Sequence, residues 1–157
     1  MSTSSMLLLS AGIVGCGIVS GVCFAFSGFV MPALGRLPAP QGVAAMQAIN
    51  IAAISPAVMI ALFGTTAACL GIAAQAVAGW GASGASLRVA GAALYLIGVV
   101  GVTGAANVPR NDALAALDPH SVQAATAWAT YLREWTTWNS VRAVAGARAA
   151  AAINAAR

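Results

Sequence analysis

Arg36 is the only charged side chain among the first 87 residues of this chain. A soluble globular domain carries roughly 25% charged residues, whereas charged residues make up 6% of this sequence and hydrophobic residues 61%. So few charges would not keep a globular protein in water. The sequence therefore predicts a polytopic membrane protein, whose side chains mostly face lipid or neighbouring helices.

The remaining charges exclude one class of partner. The chain has no lysine, and its formal charge of +4 comes from seven arginines against three acidic residues. These arginines are too sparse to form the basic stripe that neutralises several phosphates of a nucleic acid. We therefore expect the lipid bilayer, and no nucleic acid, as a partner. The sequence leaves open whether the chain forms a homo-oligomer or joins a larger membrane complex.

Four apolar segments are long enough to cross a ~30 Å hydrocarbon core, which needs about 20 helical residues. They are 6–34, 49–78, 89–108 and 121–156. We predict that they form an all-α integral membrane protein, an up-down four-helix bundle within a single transmembrane domain over 1–157. Pro56 is expected to kink the second span and Pro109 to close the third. No basic region precedes the first span, so we expect it to be retained rather than cleaved as a signal peptide.

The fourth helix is expected to be long and partly amphipathic. Asp118 and Pro119 predict its start, as an N-cap followed by proline in the first turn. A helix from there to Arg157 would reach ~57 Å, which is longer than the membrane is thick. We expect the spanning portion to begin near Trp135. Both termini then lie on one side of the membrane, and the arginine count favours, by a small margin, the cytoplasmic side of a bacterial plasma membrane.

The polar side chains that are unusual in membrane helices fall at one end of the predicted bundle. In an up-down arrangement, the ends of spans one and three and the starts of spans two and four share one membrane face. The residues that meet there are Arg36, Gln47, Asn50, Asn107, Arg110, Asn111, Asp112, His120, Tyr131, Arg133, Glu134, Trp135, Asn139 and Arg142. Unpaired polar groups at membrane depth are costly, so this convergence predicts a functional site.

One face of the fourth helix concentrates this polarity. Trp128, Tyr131, Trp135, Asn139 and Arg142 follow one another at intervals of three or four residues, so they form a single stripe. The stripe combines aromatic walls with an amide and a bidentate cation. Two alternatives remain open: the aromatic residues belong to an interfacial belt, and the polar residues brace the helices against one another.

Several short runs, in this order and spacing, resemble a known family. They are residues 24–34, 46–50, 107–111, Trp128, Trp135 and 139–142. The chain resembles the anthrone oxygenase-like family of small four-helix membrane proteins. The resemblance implies oxidation of anthrones to anthraquinones by dioxygen without a bound cofactor. It also implies that the motif positions are occupied by Asn50, Asn107, Asn111, Trp135, Asn139 and Arg142.

The residues themselves suit such chemistry. A phenol or anthrone that loses a proton in a dry pocket becomes an electron-rich anion, which can pass an electron to dioxygen. The protein must supply a base, anion-stabilising donors and an aromatic cavity. We predict Glu134 and His120 as candidate bases and Arg142 as the third catalytic candidate. The predicted substrate-binding residues are Asn50, Asn107, Arg110, Asn111, Trp128, Tyr131, Trp135 and Asn139. The expected partners are a small hydrophobic aromatic substrate and dioxygen.

We expect no cofactor and no metal. One histidine and three scattered acidic residues argue against a bis-histidine haem and a carboxylate di-iron site. A single metal held by His120 with Asp112, Asp118 or Glu134 stays open. So do two other functions: a lipid- or small-molecule-binding or accessory subunit and, less favoured, a transporter.

The cysteines are expected to be packing residues. Cys16 and Cys23 are two helical turns apart on one face, about 10 Å, which is beyond disulfide reach. Cys69 lies in a different apolar segment. Buried free cysteines usually behave as small hydrophobic side chains.

Overall fold

The structure, a computed structural model, describes residues 2–157, and this range contains five helices and no strand. The helices are α1 Thr3–Leu34, α2 Ala39–Ala52, α3 Pro56–Ala78, α4 Ala85–Ala115 and α5 Ala124–Ala155. The predicted all-α class is therefore confirmed. The first helix begins earlier than predicted, where the Ser2 hydroxyl accepts the backbone N–H of Ser5 at 3.2 Å.

Three of these helices, α1, α3 and α4, are long and apolar enough to cross a membrane. Helix α5 has 32 residues and a length of about 48 Å, but it carries three arginines and Glu134. It is not among the candidate spans of residues 2–157. The predicted fourth crossing thus has the length of a span without the hydropathy of the other three.

The four long helices pack side by side as antiparallel neighbours. Helix α1 lies against α3 and α5, and α4 contacts the same two helices. The Ser20 hydroxyl on α1 donates to the Ala143 carbonyl on α5 at 2.6 Å. On α4, Gly91 lies directly against Ile153 of α5. These small residues let the backbones approach closely, as is common in membrane helices.

Two separate apolar cores fill the interior. The first lies between α1, α3, α4 and α5 and includes Ile72, Tyr95 and Ile153. The second lies where α2 packs against the last turns of α1 and α4 and the first half of α5, and it includes Met46 and Trp128. Helix α2 therefore covers the end of the structure that holds the predicted site.

Helices α1 and α4 each contain a widened turn just before a proline, and each continues as a helix beyond it. The N–H of Met31 donates to the Phe26 carbonyl, and that of Val108 to the Thr103 carbonyl, each five residues back instead of four. A proline follows each of these amides. Proline has no N–H, and its ring clashes with the carbonyl four residues earlier in a regular α-helix, so a wider turn relieves the clash.

This widening corrects the prediction for the third span. The sequence predicts a span over 89–108 that Pro109 closes, but α4 continues through Pro109 to Ala115. The difference matters because Arg110 and Asn111 lie on this extension.

The second candidate span, Pro56–Ala78, begins seven residues later than the predicted 49–78 and ends at the same residue. The helix breaks between Ala52 and Pro56, and Pro56 begins α3 instead of kinking a continuous helix. Ser55 is extended, with φ −82° and ψ 152°, because the residue before a proline is disfavoured in the helical conformation.

The start of the fourth helix differs from the prediction as well. The Asp118 carboxylate accepts the backbone N–H of His120 at 2.9 Å, which closes a local turn. Helix α5 begins only at Ala124, without a side-chain cap. Asp118 and Pro119 thus form a turn in the loop before α5 and do not begin the helix, since an aspartate can cap an isolated turn as well as a helix.

Gly98 provides a test of the helix packing. An ideal Cβ at Gly98 would lie 2.5 Å from the Cβ of Ala145, whereas one at Gly104, on the same helix, would have nothing within 4 Å. We expect Gly98→Ala to lower stability by about 1–3 kcal/mol through overpacking, and Gly104→Ala to leave it unchanged or raise it. Thermal unfolding in detergent measures both, and equal melting temperatures would contradict this packing.

Candidate functional site

Three aromatic side chains of α5 form a buried ladder. The rings of Trp128 and Tyr131 stack with centroids 5.7 Å apart, and those of Tyr131 and Trp135 with centroids 6.1 Å apart. Phe26 of α1 packs against Trp135 at 5.9 Å with its ring tilted by 56°. The ladder confirms that the predicted stripe forms one face, and that this face points into the protein rather than to an interfacial belt.

Asn111 fixes the ladder from α4. Its side-chain oxygen accepts the Tyr131 hydroxyl at 2.9 Å and the Trp135 indole N–H at 2.8 Å. One carbonyl oxygen has two lone pairs, so it satisfies both donors at once. The contact exists because α4 continues past Pro109, which brings Asn111 over the aromatic face.

Two buried asparagines join α5 to its neighbours. Asn139 donates to the Cys23 carbonyl at 2.7 Å and to the Ser27 hydroxyl at 2.8 Å, at the start of the widened turn of α1. Asn107 donates to the Trp135 carbonyl at 3.2 Å from the widened turn of α4. Each is only 1% exposed. These bonds support the bracing role that the sequence left open.

Bracing does not account for every polar atom. Four buried side-chain atoms of residues 2–157 have no hydrogen-bond partner: Asn50 Nδ2, Asn107 Oδ1, Trp128 Nε1 and Arg142 Nε. Leaving a buried donor or acceptor unpaired costs about 1–3 kcal/mol. All four belong to the predicted site residues, three as donors and one as an acceptor. Each of these atoms could bind a water molecule or a polar group of a ligand. Trp128 and Arg142 are 14 residues apart on α5, about 21 Å, so the four atoms do not face one small ligand.

Arg142 contacts Asn139 on the same helix. Its guanidinium donates to the Asn139 side-chain oxygen at 3.3 Å, which leaves the buried Nε without a partner. Its charge therefore lies close to the Asn139 bracing contacts.

An ion pair borders a cavity beside the ladder. Arg110 contacts the Glu134 carboxylate at 2.9 Å and also donates to the Ala106 carbonyl at 2.8 Å. Arg133 approaches the same carboxylate at 3.8 Å. Arg110, Glu134 and Tyr131 line a cavity of about 650 Å³ between α4, the loop after it and α5. Cavities that hold small molecules typically measure about 300–1,000 Å³.

A second cavity lies along another face of α5. It measures about 470 Å³ and is bordered by Met31 of α1 and by Leu132, Thr136 and Ser140. Neither of these two cavities is lined by the buried asparagines or by Arg142.

The structure thus brings together most of the predicted residues and leaves one apart. His120 is exposed on the loop before α5, where its backbone bonds to Asp118, and it does not line the larger cavity. Among residues 2–157, no three His, Cys, Asp or Glu side chains are grouped closely enough to hold a metal ion.

Sequence reasoning missed four contacts of the site. Phe26 and Ser27 belong to the run that carries the family resemblance, but their partners on α5 depend on the widened turn. Gly42 of α2 lies flat against the Trp128 ring, where a Cβ would come within 2.6 Å. Gln47, a member of the polar set, donates to the Leu114 carbonyl at the end of α4 at 2.8 Å.

Comparison with known families identifies the chain. A family model described as Anthrone oxygenase matches residues 52–152. The chain belongs to the anthrone oxygenase family. The matched range contains α3, α4 and nearly all of α5, so it holds every predicted site residue except Asn50. No curated protein and no solved structure matches this family member.

Asn111 provides a test of the site's architecture. We expect Asn111→Leu to lower stability by about 1–3 kcal/mol for each donor it leaves unpaired, and Tyr131→Phe in that background to restore part of the loss. Asn154→Leu is the control, since Asn154 is exposed on the same helix. Thermal unfolding followed by tryptophan fluorescence measures all three. Equal effects of the two asparagine substitutions would contradict this role.

Proposed function

We propose that this member of the anthrone oxygenase family is a membrane oxygenase acting on a small aromatic substrate of the anthrone, phenol or quinol type. The observation that carries the proposal is the presence of unpaired buried polar atoms on Asn107 and Arg142, towards the Trp135 end of the aromatic ladder. An oxygen-bearing planar ligand has both the acceptors and the ring faces that such a site would bind.

The proposed setting is an up-down four-helix bundle across the membrane. Helices α1, α3 and α4 have the required hydropathy, and α5 packs against α1 and α4 along its length. As the fourth crossing, α5 would keep Arg142 directed towards Asn139 and away from lipid, where an unpaired charge is costly. The substrate would then enter from the bilayer or its interface.

The proposed reaction begins with proton loss from the substrate. Glu134 lines the larger cavity and is the favoured base; His120, predicted as the alternative, lies outside that cavity. The substrate anion passes one electron to dioxygen, and the two resulting radicals combine at the ring carbon. Loss of water leaves a carbonyl, so one oxygen atom enters the substrate and the other leaves as water with the two hydrogens of the CH₂ group. The balance requires no external reductant.

The protein's contribution is electrostatic. Donors aimed at a developing anion act strongly in a site that excludes water. In this proposal, the positive charge of Arg142 stabilises negative charge on the substrate or on reduced dioxygen from outside the cavity that Glu134 borders, through the low-dielectric interior. The unpaired oxygen of Asn107 can only accept, so it would bind a hydroxyl of the substrate. Trp128, Tyr131 and Trp135 form the wall that positions the ring.

One observation favours a second candidate, a non-catalytic protein that binds a lipid or another small molecule. Arg110 already neutralises the Glu134 carboxylate at 2.9 Å, and Arg133 lies 3.8 Å away. These contacts occupy carboxylate oxygens that a substrate would otherwise reach. Such a protein would use the same cavity and ladder without turnover, alone or as an accessory subunit.

Dioxygen uptake tests the proposal. Purified protein in detergent, given anthrone or a hydroxyanthrone, should consume dioxygen faster than the protein-free substrate does. We expect Arg142→Gln to lower kcat by about 10-fold, the effect of a unit charge roughly 12 Å away at an effective dielectric constant of about 20, because Arg142 does not line the cavity that Glu134 borders. Arg148→Gln is the matched control, because Arg148 is an exposed arginine on the same helix.

Substrate binding, measured on the same samples by quenching of tryptophan fluorescence, separates the two candidates. Quenching without dioxygen uptake above the protein-free rate would support the binding function and contradict the oxygenase. Equal losses in the two arginine variants would contradict the role of Arg142.

A further inference from the structure

Two thiols meet at the centre of the other core. The sulfur atoms of Cys16 on α1 and Cys69 on α3 lie 3.9 Å apart, and both residues are fully buried. They belong to the apolar cluster between the long helices, not to the cluster around the aromatic ladder. The proposed oxygenase chemistry gives them no role.

Two glycines of α1 lie against side chains of α3 near this point. Gly12 and Gly15 are within about one turn of Cys16, and a Cβ at either position would collide with Ile72 or Thr65 respectively. A disulfide needs Cα atoms about 4.4–6.8 Å apart. The glycines allow α1 and α3 to approach closely here, and the two sulfur atoms already lie 3.9 Å apart.

The third cysteine has no such partner. Cys23 is two turns further along α1, about 10 Å from Cys16, and its carbonyl accepts the Asn139 amide. It is buried and free, like the other two. It therefore shares the environment of the pair without the neighbouring thiol, which makes it a matched control.

We propose that Cys16 and Cys69 are a redox-sensitive pair that forms a disulfide between α1 and α3 when hydrogen peroxide reaches the protein. The first thiol attacks the peroxide, the O–O bond breaks, and sulfenic acid and one water form. The second thiol then displaces the hydroxyl of the sulfenic acid as a second water, and the S–S bond forms. The two thiols lose two electrons and two protons, and the peroxide is reduced to water.

The apolar surroundings favour this product over other oxidised forms. A disulfide is neutral, whereas sulfinic and sulfonic acids would place a charge among the buried apolar side chains, at high cost. Hydrogen peroxide is uncharged and close to water in size, so burial that excludes larger thiols such as glutathione does not exclude it. The neighbouring thiol thus stops oxidation at a neutral cross-link.

The cross-link joins residues 53 positions apart. Closing a long loop of the unfolded chain raises the free energy of unfolding in the chain-entropy model. Oxidation should therefore fasten α1 to α3 near the middle of both helices and stabilise the fold under oxidising conditions.

Peptide mapping tests the proposal directly, because the chain has no lysine and its first two arginines are Arg36 and Arg88. Trypsin separates Cys16 and Cys23, on peptide 1–36, from Cys69, on peptide 37–88. The full-length protein in lipid vesicles is treated with hydrogen peroxide, blocked with an alkylating agent in denaturant and digested without reductant. We expect the two peptides to be joined, with a mass two hydrogen atoms below their sum before alkylation. The one thiol that oxidation leaves free, that of Cys23, should carry the alkyl group.

Alanine variants identify the linkage. Cys23→Ala should keep the joined peptides and the rise in Tm of several degrees on oxidation, whereas Cys16→Ala and Cys69→Ala should lose both. Peptides that stay separate, a bond that depends on Cys23, or oxidation to sulfinic acid at either thiol would each overturn the proposal. As a folding control, the Tm of Cys16→Ala is compared with that of the wild type, both without peroxide. Equal values show that the variant folds normally, so the absence of a cross-link in it is not caused by misfolding.

Discussion

The candidate site depends on how α4 passes Pro109. This residue offers no amide hydrogen, and a regular α-helix would end or kink there. The wider turn that precedes it, closed by the Val108 N–H on the Thr103 carbonyl, lets the helix continue to Ala115. Asn111 then reaches the aromatic ladder, and Arg110 reaches Glu134. A helix that ended at Pro109 would leave two ladder donors unpaired and would remove one wall of the larger cavity.

Paired and unpaired polar groups divide the site into two functional parts. Asn111 and Asn139 have partners on neighbouring helices and hold α5 in register with α4 and α1. Asn107 has one such contact and one atom without a partner, and Arg142 combines a contact within α5 with an unpaired atom. A helical protein in an apolar environment gains stability from paired polar groups and loses it through unpaired ones. The unpaired atoms are therefore the part of the site that the proposed function uses.

Much of this arrangement could be predicted from the sequence, for local reasons. The intervals of three and four residues between Trp128, Tyr131 and Trp135 place them on one helical face wherever the helix packs. The same reasoning was wrong at Pro109 and Asp118, because local signals do not distinguish a proline that ends a helix from one that follows a widened turn. Nor could spacing show that Cys16 and Cys69 meet, since they lie on different helices.

The sequence by itself determined that this is an all-helical chain suited to a membrane, that its few polar residues converge at one end, and that it belongs to the anthrone oxygenase family. The tertiary structure decided which of those polar atoms are paired, through the close approach of α1 to α3 and α5 and the widened turns of α1 and α4. The physical reason is the distance along the chain over which each effect acts. Hydropathy and periodicity act within one helix, whereas a hydrogen bond between helices requires its two atoms to be positioned to within a few tenths of an ångström.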